Sequence, residues 1–313
     1  MRSGVPGWMG REVASSIWAS TSVFLVDLDG VVWTGESLAV PGAAAFFARC
    51  RSASKQVVVV TNNSTRSRAA VAGRLASLVG AEVPERDIWT SASAAATILR
   101  DRGVKACFAV GLRGLVHELE TAGIRVARAP CGASSAAESG VDARDDVDGV
   151  LEGIELDGSV TAVVVGLDTR FSYGTLATAA AYLRQPCAQG TPRLFVATNL
   201  DAGDVHGARF APGGGCMVAA VALAAGRQPD VVAGKPSGDL ARAVLQGSCD
   251  GEDLGAITML GDRLDTDMAL ARRAGVRAVL VGTGVEGPAD AERALARGEV
   301  DAFLPAGLAD LAA

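Results

Sequence analysis

Histidine is almost missing from this chain of 313 residues, which holds only His117 and His206. Its six cysteines (Cys50, Cys107, Cys131, Cys187, Cys216 and Cys249) form no Cys-x-x-Cys pair and stand at no metal-ligand spacing with either histidine. That excludes a zinc site of the Cys/His kind. The scattered cysteines read as reduced thiols of a cytoplasmic protein. An excess of positive charge is missing too: the formal net charge is -6 and the pI is near 5.1. Duplex nucleic acid, whose binders carry a basic face, is therefore not the expected partner. No apolar run reaches the roughly 18 to 20 residues of a membrane span. The stretch before Val23, with Arg2, Arg11 and Glu12, has no apolar block of signal-peptide length, although its serines and few acids leave an organelle presequence open.

What is present is enough apolar sequence for two cores, with 49% hydrophobic and 20% charged residues. Apolar runs of strand length alternate with Ala-rich helical stretches, which predicts an α/β fold: a doubly wound, mainly parallel, Rossmann-like sheet. The expected core strands are Val23 to Val26, Val57 to Val60, Val231 to Ala233, Ile257 to Leu260 and Ala278 to Val281. Helices are expected at Ala43 to Arg51, Ser67 to Leu78, Gly215 to Ala225, Gly238 to Leu245 and Thr266 to Ala274. The middle of the chain repeats the pattern with strands at Ala106 to Val110, Arg125 to Ala127, Ala162 to Val165 and Leu194 to Ala197. We read residues 1–22 as an N-terminal extension, 23–92 and 202–313 as two parts of one core domain, and 93–201 as an inserted α/β domain. The acidic stretch from Cys131 to Asp148 reads as a surface loop of the insert.

Four segments end an apolar run on a polar residue: FLVDLDG with Asp27 and Asp29, VVVVTNNS with Thr61, VVAGKPS with Lys235, and MLGDRLDTD with Asp262 and Asp267. If these strands lie parallel, their C-terminal ends share the crevice where open α/β sheets bind ligands. Asp27 and Asp29 face the same way in an extended segment. Two carboxylates so close raise the proton affinity of one unless a cation intervenes, which suits one ionised nucleophile beside Mg²⁺ and one proton donor. Asp262 and Asp267 supply further oxygens for the octahedron that Mg²⁺ prefers. Asp265 is expected as the N-cap of the following helix, and a first-turn carboxylate favoured by the helix dipole is the alternative for Asp267. Thr61 and Asn62 offer neutral donors for a phosphoryl oxygen, with a helix-capping turn as the alternative. Lys235 precedes Pro236, expected at a first helical position, and offers charge balance.

These motifs, in this order, resemble those of the haloacid dehalogenase superfamily. The large insert, with TNNSTRSR, WTSASAAATIL, FVATNLD and GDRLDTDM, resembles the α/β-capped branch of phosphoglycolate, pyridoxal phosphate and 4-nitrophenyl phosphatases. The resemblance implies a Mg²⁺-dependent phosphatase of small phosphate monoesters. In it Asp27 attacks phosphorus to form an aspartyl phosphate, and Asp29 protonates the leaving alkoxide and then activates water. Mg²⁺ is held by the side chains of Asp27 and Asp262 and the carbonyl of Asp29, supported by Asp267, while Thr61, Asn62 and Lys235 bind the phosphoryl group. It further implies substrate contacts from Asn63, Arg66 and His206, a small phosphorylated metabolite as ligand, and a homodimer formed through the cap. A phosphotransferase or mutase using the same intermediate, or a noncatalytic phosphate-binding protein, is the alternative. A dehalogenase would use the nucleophile without this set of carboxylates.

Overall fold

The computed structural model describes residues 11–35, 37–127, 147–206 and 209–312, which divide by contact into two compact units. The first comprises the described residues up to Asn62, Arg68–Thr90, and those from Lys235 onward. Its sheet has six strands in the order Ala302–Leu304, Arg277–Val281, Ile257–Gly261, Val23–Val26, Gln56–Thr61 and Ile88–Thr90, and every pair is parallel. Counted along the chain, that order reads 6-5-4-1-2-3, the doubly wound arrangement in which the connections reverse direction between the first and fourth strands. VFLV and ITMLG, side by side there, are buried at every position, as strands covered by helices on both faces must be.

The helix Ala43–Ser52 explains one covering layer. Ala43, Phe46, Phe47 and Cys50 fall on one stripe at helical spacing and are buried. Phe46 meets Phe24 edge-on with ring centroids 5.2 Å apart. The segment before Val23, expected as an extension, instead contributes a helix, Arg11–Ser20, to this core. Its Ala14 and Ile17 are buried, Trp18 stacks on Phe24 at 5.8 Å, and the Arg49 guanidinium lies 3.8 Å over the Trp18 ring.

The second unit comprises residues 63–67 and 91–234. Its five-stranded parallel sheet runs Val231–Val232, Leu194–Ala197, Ala162–Val165, Ala106–Val110, Arg125–Ala127. Here the expected assignment needs correction. Val231 and Val232 pair with Val196 and Ala197, not with the first sheet, and the helix Gly214–Ala225 buries Val218, Val221 and Ala222 in the second core. The chain therefore returns to the first unit at Lys235, not just after Asp201. Hydrophobic period identifies a strand but not the sheet it joins; that is decided by its pairing partner, here reinforced by Asp230 accepting from the Phe195 N–H at 2.7 Å. An antiparallel hairpin, Gly203–His206 with Arg209–Pro212, was not expected either. The acidic stretch lies outside the described residues up to residue 146, and its last two residues open the helix Val147–Glu152.

Among the described residues no helix is long and apolar enough to cross a membrane. The described cysteines are all free thiols.

Candidate active site

Asp27 stands one residue beyond Val26, and Asp262 one beyond Gly261, on the two adjacent strands between which the chain reverses direction. The Asp27 N–H donates to the Leu260 carbonyl at 3.0 Å, so the parallel pairing itself brings the two carboxylates to the same edge. Lys235 enters from 208 positions further along the chain than Asp27. Its Nζ donates to Asp27 Oδ1 and to Asp267 Oδ1, both at 2.6 Å, and to the Val60 carbonyl at 3.2 Å. All four charged groups are buried, Asp267 completely. Thr61, the last residue of its strand, is buried at the same sheet edge.

Three carboxylates and one ammonium leave two uncompensated negative charges in a setting where desolvation is costly. Burial pushes Asp27 well above the usual carboxylate range; Lys235 pulls it down, while Asp267 and Asp262 add to the rise. Burial and the Asp267 charge likewise push Asp262 up to about 6, against the Val285 N–H and Lys235. Lys235 is pushed up by Asp267 and Asp27 despite its burial and stays protonated. One carboxylate oxygen from each of Asp27, Asp262 and Asp267 can be chosen so that all lie within 4.8 Å of one another. Asp262 Oδ1 is buried with no hydrogen-bond partner. A hard divalent cation, which takes oxygen ligands, answers both the excess charge and the orphaned oxygen, so these residues fit Mg²⁺.

The surroundings of Asp262 were not anticipated from sequence. Its Oδ2 accepts from the Val285 N–H at 2.8 Å. A Cβ on Gly284 would lie 1.9 Å from that oxygen, and one on Gly30, whose φ is +83°, would lie 2.4 Å from it. Only glycine lets these two loops close on the carboxylate. Thr283 Oγ1 ties them together by donating to the Gly30 carbonyl at 2.7 Å. The run Gly282-Thr283-Gly284 directly after the strand Arg277–Val281 was the available sequence signal.

Asp267 sits in a single turn of π-helix, Leu264–Met268, that precedes the α-helix Ala269–Ala274. Such wide turns recur where a side chain must be re-aimed at a site. Both Asp267 oxygens are engaged, Oδ1 by Lys235 and Oδ2 by the Arg263 N–H at 3.2 Å. Asp265 is not the expected N-cap: it pairs with Arg263 and is exposed. Pro236 does not open the next helix either, since Gly238–Ser248 begins after Ser237, whose hydroxyl accepts from the Asp239 N–H. Lys235 and Pro236 are joined by a cis peptide.

Asn62 accepts from the Lys235 N–H at 2.6 Å and donates to the Lys235 carbonyl at 3.2 Å. Its side chain thus clamps the lysine loop. Asp29 is the exposed member of the carboxylate set, and its Oδ1 accepts from the Trp33 indole N–H at 2.9 Å. Asn63 and Arg66 belong to the second unit, where Asn63 Oδ1 accepts from the main-chain N–H groups of Thr65 and Arg66 in a local turn. The side chain of His206 lies outside the described residues. At the N-terminal end of Gln56–Thr61 a hollow of about 230 Å³ is lined by Cys50, Lys55, Gln56 and Asp87. Lys55 there donates to the Thr21 carbonyl and Gln56 to Asp87, and burial pushes the Cys50 thiol up to about 12, so no thiolate nucleophile stands there.

Known proteins are similar to this chain in sequence and fold. A family model described as haloacid dehalogenase-like hydrolase matches residues 24–125, and a second, HAD-hydrolase-like model matches residues 232–311. Phosphoglycolate phosphatase 2 of Arabidopsis thaliana is 36% identical over 290 residues, covering 90% of this chain and 89% of its own. The chain belongs to the haloacid dehalogenase-like hydrolases. Human glycerol-3-phosphate phosphatase is also 36% identical, over 289 residues, with 88% and 84% covered. Among solved structures of this family, a glycerol phosphate phosphatase from Mycobacterium tuberculosis in complex with magnesium superposes with a TM-score of 0.72 at 30% identity, over 94% of this chain and 77% of that one. The two family models flank most of the second unit, as expected of a hydrolase core interrupted by an insert.

Proposed function

We propose that this hydrolase cleaves small-molecule phosphate monoesters through a phosphoryl group carried on Asp27. The observation that carries the reading is the Asp27 carboxylate held at the sheet's reversal point by Lys235, with Asp262 and Asp267 beside it. Relatives named as phosphoglycolate and glycerol-3-phosphate phosphatases support the substrate class.

In this mechanism an Asp27 oxygen attacks phosphorus in line, and the bond from phosphorus to the ester oxygen breaks as Asp29 gives that oxygen a proton. Asp29 then takes a proton from water as the water oxygen attacks phosphorus. The bond from phosphorus to Asp27 breaks, leaving inorganic phosphate and a regenerated carboxylate. Lys235, the Thr61 hydroxyl and the Asn62 main-chain N–H bind the phosphoryl oxygens, and positioning and charge stabilisation are most of what phosphoryl transfer demands. Asp27, Asp262 and the Asp29 carbonyl hold Mg²⁺, with Asp267 behind them. When bound, the ion offsets the charge of the phosphoryl oxygens. Asn63, Arg66 and His206 remain our candidates for contact with the rest of the ester. The free thiols accord with a reducing, cytoplasmic setting. Exposed Val147, Leu151 and Tyr173 on two neighbouring helices of the second unit offer an apolar face for a homodimer.

Incubation with a panel of phosphorylated metabolites and Mg²⁺ is expected to release inorganic phosphate and free alcohol in equal amounts, and EDTA to stop it. Transfer of the phosphoryl group to an added hydroxyl compound would identify a phosphotransferase instead. Binding without turnover would identify a phosphate-binding protein.

The raised carboxylates give a pH dependence of known sign. Asp262 binds its proton more tightly in the folded protein, at about 6, than in the unfolded chain, where about 3.9 is usual. The stability it contributes to the metal-free protein is therefore fully present below the unfolded value and lost as pH rises through about 6. Asp27 acts in the same sense. Mg²⁺ needs these groups ionised, so the rise in Tm on adding Mg²⁺ is expected to be larger at pH 7 than at pH 5. The opposite order, measured by calorimetry, would remove Asp262 from the ligand set.

A further inference from the structure

An exposed aspartate ordinarily samples several rotamers, yet a proton donor has to be held within hydrogen-bond reach of the oxygen it serves. Asp27, Asp262 and Asp267 are fixed by burial; Asp29 is not. One of its oxygens is held by Trp33, four residues on. The Trp33 Nε1–H donates to Asp29 Oδ1 at 2.9 Å, and the ring itself is only 2% exposed. The Arg74 guanidinium lies 4.0 Å over the indole and also donates to the Gly35 carbonyl. The main chain is closed as well: the Trp33 N–H donates to the Leu28 carbonyl, the Gly30 N–H to the Trp33 carbonyl, and Trp33 pairs with Ala39 in a short hairpin. The indole N–H therefore points in one direction, and that direction is Asp29.

An indole nitrogen donates only and accepts nothing. A carboxyl oxygen facing it is an acceptor, so proton exchange with the substrate falls to the other oxygen, Oδ2. We propose that Trp33 is a positioning residue for proton transfer, fixing the rotamer of Asp29 and reserving Oδ2 for the leaving group. This rests on the phosphatase reading, with Asp29 as the acid. Arg74 completes the device by clamping the indole face from the helix Arg68–Val79.

The test separates positioning from packing by the leaving group. An alkoxide needs a proton as it departs, whereas 4-nitrophenolate leaves without one, and kcat/KM reports the step in which the alcohol is expelled. Trp33→Phe, and a Trp33 replacement by the isosteric benzothienylalanine in which sulfur replaces the N–H, keep the ring and lose the donor. For the Mg²⁺-loaded enzyme, both are expected to lower kcat/KM for an alkyl phosphate such as glycerol phosphate about tenfold. For 4-nitrophenyl phosphate the expected change is less than about threefold, since no proton transfer is being disturbed. Asp29→Asn is the reference and is expected to show the same selectivity more strongly. Equal losses on both esters, or no loss with the isostere, overturn the proposal for Trp33 while Asp29→Asn remains selective. If Asp29→Asn itself shows no selectivity, the acid role of Asp29 fails and the proposal with it.

Discussion

Replacing Asp27 by asparagine is expected to abolish turnover while leaving the metal-free protein at least as stable as the parent. The amide cannot form the phosphoryl bond, and loss of a covalent nucleophile lowers kcat by roughly 10⁴- to 10⁶-fold. The stability result follows from charge. Asp27 is buried beside two other carboxylates, and its raised proton affinity means that ionising it at pH 7 opposes folding. Asparagine removes one of three negative charges and still offers an oxygen to Lys235, which keeps Asp267 as its ionic partner. A gain on the order of 1 kcal/mol is expected in chelator at pH 7. Mg²⁺ should then stabilise the parent more than the variant. Denaturant melts with and without the ion check this. A variant that loses more than about 2 kcal/mol without metal would show the Lys235–Asp27 pair to outweigh the repulsion.

Lys235→Met is expected to damage both stability and catalysis. The ammonium touches two carboxylates and a strand carbonyl in a site where it is only 4% exposed. Its removal leaves three buried carboxylates without a cation, a loss of about 3–5 kcal/mol for broken buried pairs. Losing a charged donor to the phosphoryl group lowers kcat by about 10²- to 10³-fold. Lys235→Arg should not rescue, because a planar fork needs more room than a point charge. Adding Asp27→Asn to Lys235→Met should recover more stability than Asp27→Asn gains on its own, and none of the activity, the coupling expected of residues in contact. A recovery no larger than that single gain would count against the shared cluster.

Much of this cluster was legible because parallel strands put their chemistry at one end. Asp27, Thr61 and Asp262 each follow a continuous apolar run, and the adjacency of the first and fourth strands turns those run-ends into a site. Lys235 stood out by its place after the apolar run VVAG and before Pro236. The illegible parts depend on pairing and loop geometry. Val231 and Val232 are strand-like in any setting, and only hydrogen bonds to Val196 and Ala197 decide their sheet. Asp265 reads as an N-cap and Asp267 as a metal-site carboxylate, but sequence does not show the π-turn that aims Asp267 at Lys235 and leaves Asp265 with Arg263. Nor does sequence show that the Asn62 side-chain amide meets the Lys235 backbone. Trp33 carries no such signal, because its one polar atom is invisible to hydrophobic pattern.

The ion pair between Asp27 and Lys235 spans 208 positions of sequence. During synthesis Asp27 leaves the ribosome long before its counter-charge, and the strand that must lie beside it, Ile257–Gly261, comes later still. The second sheet has no such wait, since all its strands lie between Ala106 and Val232. It can close while the first is missing its centre, and a folded insert shortens the loop whose closure the first sheet must then bear. Released chains that end at Gly234 should accordingly contain an ordered insert beside an unassembled first sheet.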